Sequence, residues 1–225
     1  MHRWDLTPGE AIQLQRKLRK KVDLKNRVDI SKIRYIAASD LAYKGDIGYA
    51  VMLLYSYPDL VLLEEARAKG KVDFPYIPGL LAFREMPLLL EAASKLTRKP
   101  DVWLLDGAGI AHPRRMGIAT HFGVYMRAPT VGCAKSHLFG RYKEPGVKQG
   151  SYTYIYDKDE IIGAVLRTRD KVKPLFISVG YGISLEVAIK LILSCCDGYR
   201  IPKPLREAHN RIEKIKREDN EISLF

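Results

Sequence analysis

The run Asp101-Val102-Trp103-Leu104-Leu105-Asp106 decides the fold. Four apolar residues in succession between two aspartates are too few for a helix and show no polar–apolar alternation. Such a run reads as a strand covered on both faces, the habit of inner strands in a sheet that carries helices on either side. Upstream, residues 79–96 place Leu80, Leu81, Phe83, Pro87, Leu88, Leu90 and Ala93 at helical spacing, and Lys99-Pro100 ends that segment. Before it lie three β-rich runs, 33–40, 48–56 and 60–68, joined by Lys44-Gly45-Asp46 and Tyr57-Pro58-Asp59. Short turns between such runs predict an antiparallel meander, with Asp40 at the tip of its first strand. At the start of the chain, Thr7-Pro8-Gly9-Glu10 has the form of a capping box with proline at the first helical position. Downstream, 113–122 reads as a helix and 130–134 as a second buried strand. Strand-like runs follow at 152–156, 161–167 and 175–179, and helices at 184–194 and 203–216. The expected fold is α/β, one domain over 1–225, with a central mixed β-sheet (an antiparallel three-stranded meander plus parallel strands) flanked by helices.

The 225 residues carry 38 Lys+Arg against 26 Asp+Glu, a net charge of +12. That excess suits a polyanionic partner, because each neutralised phosphate releases counterions; solvated surface lysines explain it equally well. With 47% hydrophobic residues the chain is globular in composition. No apolar run reaches the roughly 18–20 residues of a membrane helix, and the N-terminus lacks a signal-peptide core, so a cytoplasmic protein is expected. The cysteines Cys133, Cys195 and Cys196 show no zinc spacing and read as buried thiols in a reducing compartment. Scarce Asn and Gln, three each, hint at a hot habitat. The first helix exposes Arg16, Lys17, Arg19, Lys20 and Lys21, a solvated face or a phosphate-facing one.

Several residues are candidates for chemistry. Asp40 is a turn-former or a site residue. Asp106 enters Asp106-Gly107-Ala108-Gly109 just beyond the buried strand, where α/β sheets bind ligands. Two carboxylates at neighbouring strand ends repel unless a cation lies between them. Glu85, in a largely apolar helix, pairs with Arg84, reaches solvent, or completes an oxygen-rich Mg2+ or Mn2+ site. Lys135 follows the second buried strand and is a phosphate contact or a surface lysine. His112, His121 and His209 are structural histidines unless a site claims them. Phe74-Pro75-Tyr76-Ile77-Pro78-Gly79 is stiffened by two prolines; it is a packed turn, or a rigid protrusion that offers an aromatic wedge.

Taken together, Ser39-Asp40-Leu41-Ala42-Tyr43, the stretch from Phe74 to Glu85, Asp106-Gly107-Ala108-Gly109, Ala111-His112-Pro113-Arg114, Gly117-Ile118-Ala119 and Gly132-Cys133-Ala134-Lys135-Ser136 resemble the endonuclease V family. The resemblance runs from Trp4 to about Arg211. It implies a ribonuclease-H-like fold. It also implies a Mg2+-dependent endonuclease, Mn2+ substituting, that cuts DNA 3′ of deoxyinosine, at the second bond, leaving 3′-hydroxyl and 5′-phosphate ends. By resemblance, Asp40, Glu85 and Asp106 hold the metal, with Lys135 and His209 completing the catalytic set. Tyr76 is the wedge, and Gly79, Leu81, Gly107, Gly109, His112, Gly117 and Ile118 belong to the pocket for the flipped base. Ala108 and Tyr181 depart from the family pattern, which often has Gln or His at the first and commonly His at the second. A monomer acting without a membrane is the default. The rival readings are an endoribonuclease acting on inosine in RNA and a non-catalytic binder of structured nucleic acid.

Overall fold

A computed structural model describes residues 2–222. Its centre is one eight-stranded mixed sheet built from β1 (Tyr35–Lys44), β2 (Ile47–Ser56), β3 (Leu62–Lys71), β4 (Val102–Leu105), β5 (Thr130–Ala134), β6 (Tyr152–Asp157), β7 (Glu160–Leu166) and β8 (Leu175–Tyr181), in the order β3-β2-β1-β4-β5-β8-β7-β6. The helices are α1 (Pro8–Arg19), α2 (Leu81–Ser94), α3 (Ile118–Met126), α4 (Leu185–Ser194) and α5 (Lys203–Ile222). The mixed sheet flanked by helices is in keeping with the ribonuclease-H-like fold that the resemblance implies. No described helix is long and apolar enough to cross a membrane.

The buried run behaves as its composition demands. All four residues of β4 are buried, with Trp103 and Leu105 on one face and Val102 and Leu104 on the other. On the first face Met86 and Leu89 of α2 and Ile118 and Phe122 of α3 close the core; on the second, Ile189 and Ile192 of α4 and Ala208 and Ile212 of α5 do so. Each of these side chains larger than alanine gains about 1.5–3 kcal/mol from leaving water, which fixes β4 and its neighbours as the rigid part of the sheet.

The meander β1-β2-β3 is antiparallel as expected, and β4 joins β1 in parallel. Three boundaries differ from the expectation. Asp40 is not the tip of the first strand, because β1 continues to Lys44, pairing Leu41, Ala42 and Tyr43 with Ala50, Tyr49 and Gly48 and closing through the two-residue turn Gly45-Asp46. The third strand starts at Leu62 and runs on to Lys71, its start set by the Ser56–Leu60 turn and an irregularity at Leu54/Tyr55. The helix expected at 113–122 begins only at Ile118, since the His112 side chain and carbonyl hold the amides of Arg114, Arg115 and Met116 in an irregular loop. Parallel pairing is confined to β1, β4 and β5; the remaining strands add a second antiparallel ladder, β5-β8-β7-β6. Cys133 and Cys195 are buried thiols, whereas Cys196 is only half-buried, next to the loop that leaves α4.

Candidate active site

The register of the two central strands brings the carboxylates together. Ser39 of β1 pairs with Leu105 of β4, so the next residue on each strand, Asp40 and Asp106, falls side by side. From the middle of β1, Asp40 is braced: Oδ1 accepts from the Leu41 amide at 2.9 Å and Oδ2 from His209 Nδ1 of α5 at 2.7 Å. Asp106 Oδ2 accepts from Lys135 Nζ, just past β5, at 2.5 Å. Glu85 comes from the second turn of α2 and accepts from Tyr43 Oη at 3.3 Å. Arg84 lies over the Tyr43 ring, 4.2 Å from its centroid, and donates to the Phe74 carbonyl at 2.6 Å.

These groups carry an electrostatic mismatch. Burial, reinforced by the neighbouring Asp40 and Asp106 charges, pushes Glu85 up to about 8. Burial and Asp106 also raise Asp40, against the lowering pull of His209 and the Leu41 amide. Burial lowers Lys135, but Asp106 outweighs it and holds the ammonium charged. Like charges this close are costly, and a cation among them removes the cost. Three hard carboxylate donors, from β1, α2 and the end of β4, are the ligand type that Mg2+ or Mn2+ takes. Among the described residues no three His, Cys, Asp or Glu side chains stand close enough together to hold a metal ion as they are placed; the carboxylates sense one another's charge without sharing a single point.

The second part of the site is a cavity of about 100 Å³. Tyr76, Gly79, Leu81, His112, Gly117 and Ile118 line it, together with Ala108, Met116 and Leu138. Gly107 and Gly109 stand behind this wall rather than on it. Gly109 is wedged against β8: a Cβ there would lie 2.2 Å from the Val179 carbonyl oxygen, and its amide donates to Ser178 Oγ at 2.7 Å. The carbonyls of Ala108 and Gly109 accept from the Ala119 and Gly117 amides at the start of α3. Tyr76 stands out of the surface, 70% exposed, on a loop anchored by buried Phe74 and Leu80.

His112 lines the cavity with no ring nitrogen to spare. Nδ1 accepts from the Arg114 amide at 3.1 Å, and Nε2 donates to the Gly79 carbonyl at 2.9 Å. Burial, with Arg114 and Arg115 adding to it, pulls this histidine down to about 4, so it is a neutral brace. Of the two departures from the family pattern, Ala108 is in the cavity wall. Tyr181 pairs with Thr130 at the far end of β5, away from the strand ends that carry the carboxylates. Another mid-chain histidine, His121, is sealed inside α3 against Trp4 and Phe83.

The sequence reading missed two structural braces. Arg115, 6% exposed, donates to the His112 carbonyl and pairs with Asp157 and Glu160 of the β6–β7 hairpin. Gln15 of α1 is fully buried and donates to the Gly79 carbonyl. For Gln15 the signal was present: it falls on the same stripe as Ala11 and Leu18, where an apolar residue belongs.

The protein-family model described as Endonuclease V matches residues 16–210. An endonuclease V of Dehalococcoides mccartyi is 49% identical, the alignment covering 93% of this chain and 94% of that protein. The crystal structure of the Bacillus subtilis endonuclease V superposes with a TM-score of 0.93 at 33% identity, over 98% of this chain and 97% of that one. The Ciona intestinalis endonuclease V, crystallised with a 24mer DNA containing an inosine followed by a ribo-adenosine, gives a TM-score of 0.84 at 31% identity, over 93% of this chain and 98% of that one.

Proposed function

This chain belongs to the endonuclease V family, and from that premise we propose that it is a Mg2+-dependent endonuclease, Mn2+ substituting, that recognises deoxyinosine in DNA. It hydrolyses the second phosphodiester on the 3′ side and leaves 3′-hydroxyl and 5′-phosphate ends. The observation that carries this reading is the convergence of Asp40, Glu85 and Asp106 at the sheet end, with Lys135 on Asp106 and His209 on Asp40. A relative crystallised on inosine-containing DNA supports the choice of lesion.

Asp40, Glu85 and Asp106 would hold the metal, which when bound supplies a Lewis acid for the phosphoryl oxygens and an activated water. The chain's own groups do the rest. Lys135 places a fixed positive charge where the scissile phosphate approaches. His209 Nδ1 holds Asp40 in one orientation, leaving its half-exposed ring at the site edge. Tyr76, on its proline-stiffened loop, enters the base stack in place of the extruded nucleotide. The cavity beside it takes the flipped base; unstacking costs a few kcal/mol and least at a mispaired base, which favours the lesion. Separate places for base and phosphate account for a cut displaced from the inosine. A net charge of +12 draws the chain to DNA. The working compartment is the cytoplasm, and the working unit a monomer.

The test is cleavage of an end-labelled duplex with one deoxyinosine, in Mg2+ and in EDTA, with the product ends mapped. Mg2+-dependent nicking at the second 3′ bond is expected; no cutting, or cutting indifferent to inosine, contradicts the proposal. A second reading, inosine in RNA, draws on the ribo-adenosine that follows inosine in the Ciona complex. Running matched DNA and RNA strands in parallel ranks the two substrates.

A further inference from the structure

The carbonyl oxygen of Gly79 accepts three hydrogen bonds: from Gln15 Nε2 at 3.0 Å, His112 Nε2 at 2.9 Å and Arg114 Nη2 at 2.8 Å. A carbonyl has two lone pairs, so three donors on one oxygen mark a joint held harder than a turn requires. Gly79 closes the loop that carries Tyr76. Its φ of +81° and the Arg114 and His112 nitrogens that crowd its missing Cβ leave no room for another residue. Two of the donors come from the loop behind the cavity. The third comes from α1, 64 positions away in the chain.

Gln15 does more than cap that carbonyl. The same Nε2 also donates to the Met116 carbonyl at 3.1 Å, and Oε1 accepts from Arg114 Nε. Gly79 and Met116 both line the cavity, so one buried amide ties the loop that carries the protruding tyrosine to the cavity wall. All three of its partners lie on this side of the cleft, and none is a carboxylate. A buried amide is costly unless its groups are partnered; every polar atom of Gln15 is.

We propose that Gln15 is a positioning residue that fixes the spacing between the Tyr76 loop and the base cavity, so that inosine binding and discrimination depend on it while hydrolysis does not. The proposal rests on the inosine-directed reading above. The experiment compares the wild type with Gln15→Met, which keeps the side chain's length and removes all three bonds. Two quantities are read: steady-state cleavage of an inosine duplex and its adenosine counterpart, and amide hydrogen exchange across residues 76–80. The loss of these bonds is expected to raise KM about tenfold and to lower the preference for inosine by a similar factor. Turnover at saturation stays within about twofold, the split that marks lost binding rather than lost chemistry. Exchange in 76–80 accelerates while β4 and β5 are unchanged. Unchanged KM and preference, or a fall in kcat alone, overturns the proposal.

Arg114→Lys approaches the joint from its other side, losing the forked contact to Gln15 and Gly79 while keeping the charge. It is expected to shift KM and preference in the same direction, and the double variant to fall short of the summed effects, as residues sharing one network do. Should Gln15→Met fail to fold, Arg114→Lys decides alone. A wild type that cuts no inosine substrate contradicts the function reading, and the exchange data then still decide whether Gln15 holds the loop.

Discussion

The carboxylate side of the cleft and the Gly79 side satisfy their polar groups in opposite ways. On the first, Asp40, Glu85 and Asp106 are brought together by a rigid sheet and helix, and burial, reinforced by the two aspartate charges, lifts Glu85 to about 8. On the second, Gln15, His112, Arg114 and Arg115 meet backbone carbonyls, one another and acidic partners. One side stores a demand for positive charge; the other is neutral at its centre and held still. Chemistry on phosphate needs the first, since the stabilising charge must be in place before the reaction. Reading a base needs the second, since a pocket that shifts by an ångström loses its selectivity.

The largest expected break in that contrast is Asp106→Ala. Loss of the metal's contribution, worth several kcal/mol, lowers cleavage by about 10³-fold or more, while circular dichroism and inosine binding are retained. Retained Mg2+-dependent cleavage removes Asp106 from the site. Next comes Gly109→Ala, whose new methyl meets the Val179 carbonyl. Overpacking against backbone costs about 1–3 kcal/mol or more, read as a lower urea midpoint; an unchanged midpoint shows that the loop behind the cavity is softer than described. Tyr76→Ala touches neither half's packing, so thermal stability holds. Lesion affinity drops by about 1–3 kcal/mol, the worth of one base–aromatic stack, and equal affinity for inosine DNA removes the wedge.

A separate effect is in pH and builds up only over several pH units. Burial, with His2 alongside, holds His121 down at about 3, and burial holds His112 at about 4, both below the ordinary 6.5. The folded chain keeps both neutral, whereas the unfolded chain takes up their protons below about pH 6.5. Their contribution is therefore complete above that pH and is lost as pH falls from 6.5 towards 4 for His112 and towards 3 for His121, at up to about 1.4 kcal/mol per pH unit for each histidine. His121→Phe is expected to flatten the decline between pH 7 and pH 5 in urea titrations; an equal slope contradicts a neutral buried His121.

Much of this was legible in the sequence because it rests on local pattern. The apolar run of β4 announced an inner strand, and the capping box of α1 formed as written with Thr7 and Glu10 reciprocally bonded; the proline-rich stretch left a packed turn and a protrusion open, and the structure exposes Tyr76. What escaped depends on pairing between distant segments. Asp40 looked like a strand end because a carboxylate after an apolar run usually is one; only the partner β2 shows that β1 continues beneath it. The start of α3 was misplaced because Pro113 looks like a first helical residue, whereas His112 ties the next amides into a loop. Periodicity in 152–181 named the strands β6, β7 and β8 but not their order. Arg115 left no local signal and Gln15 only its place on the apolar stripe of α1, since their partners lie 42–45 and 64 positions away.

The contrast itself is tested most directly by a thermal midpoint with and without Mg2+, for the wild type, Asp106→Ala and Tyr76→Ala. Metal at ten times its dissociation constant stabilises the folded chain by about 1.4 kcal/mol, a rise of roughly 3–6 °C for a chain of this size. The rise is expected in the wild type and in Tyr76→Ala and is lost in Asp106→Ala. An equal rise in all three, or none in the wild type, contradicts a carboxylate side built to hold a cation.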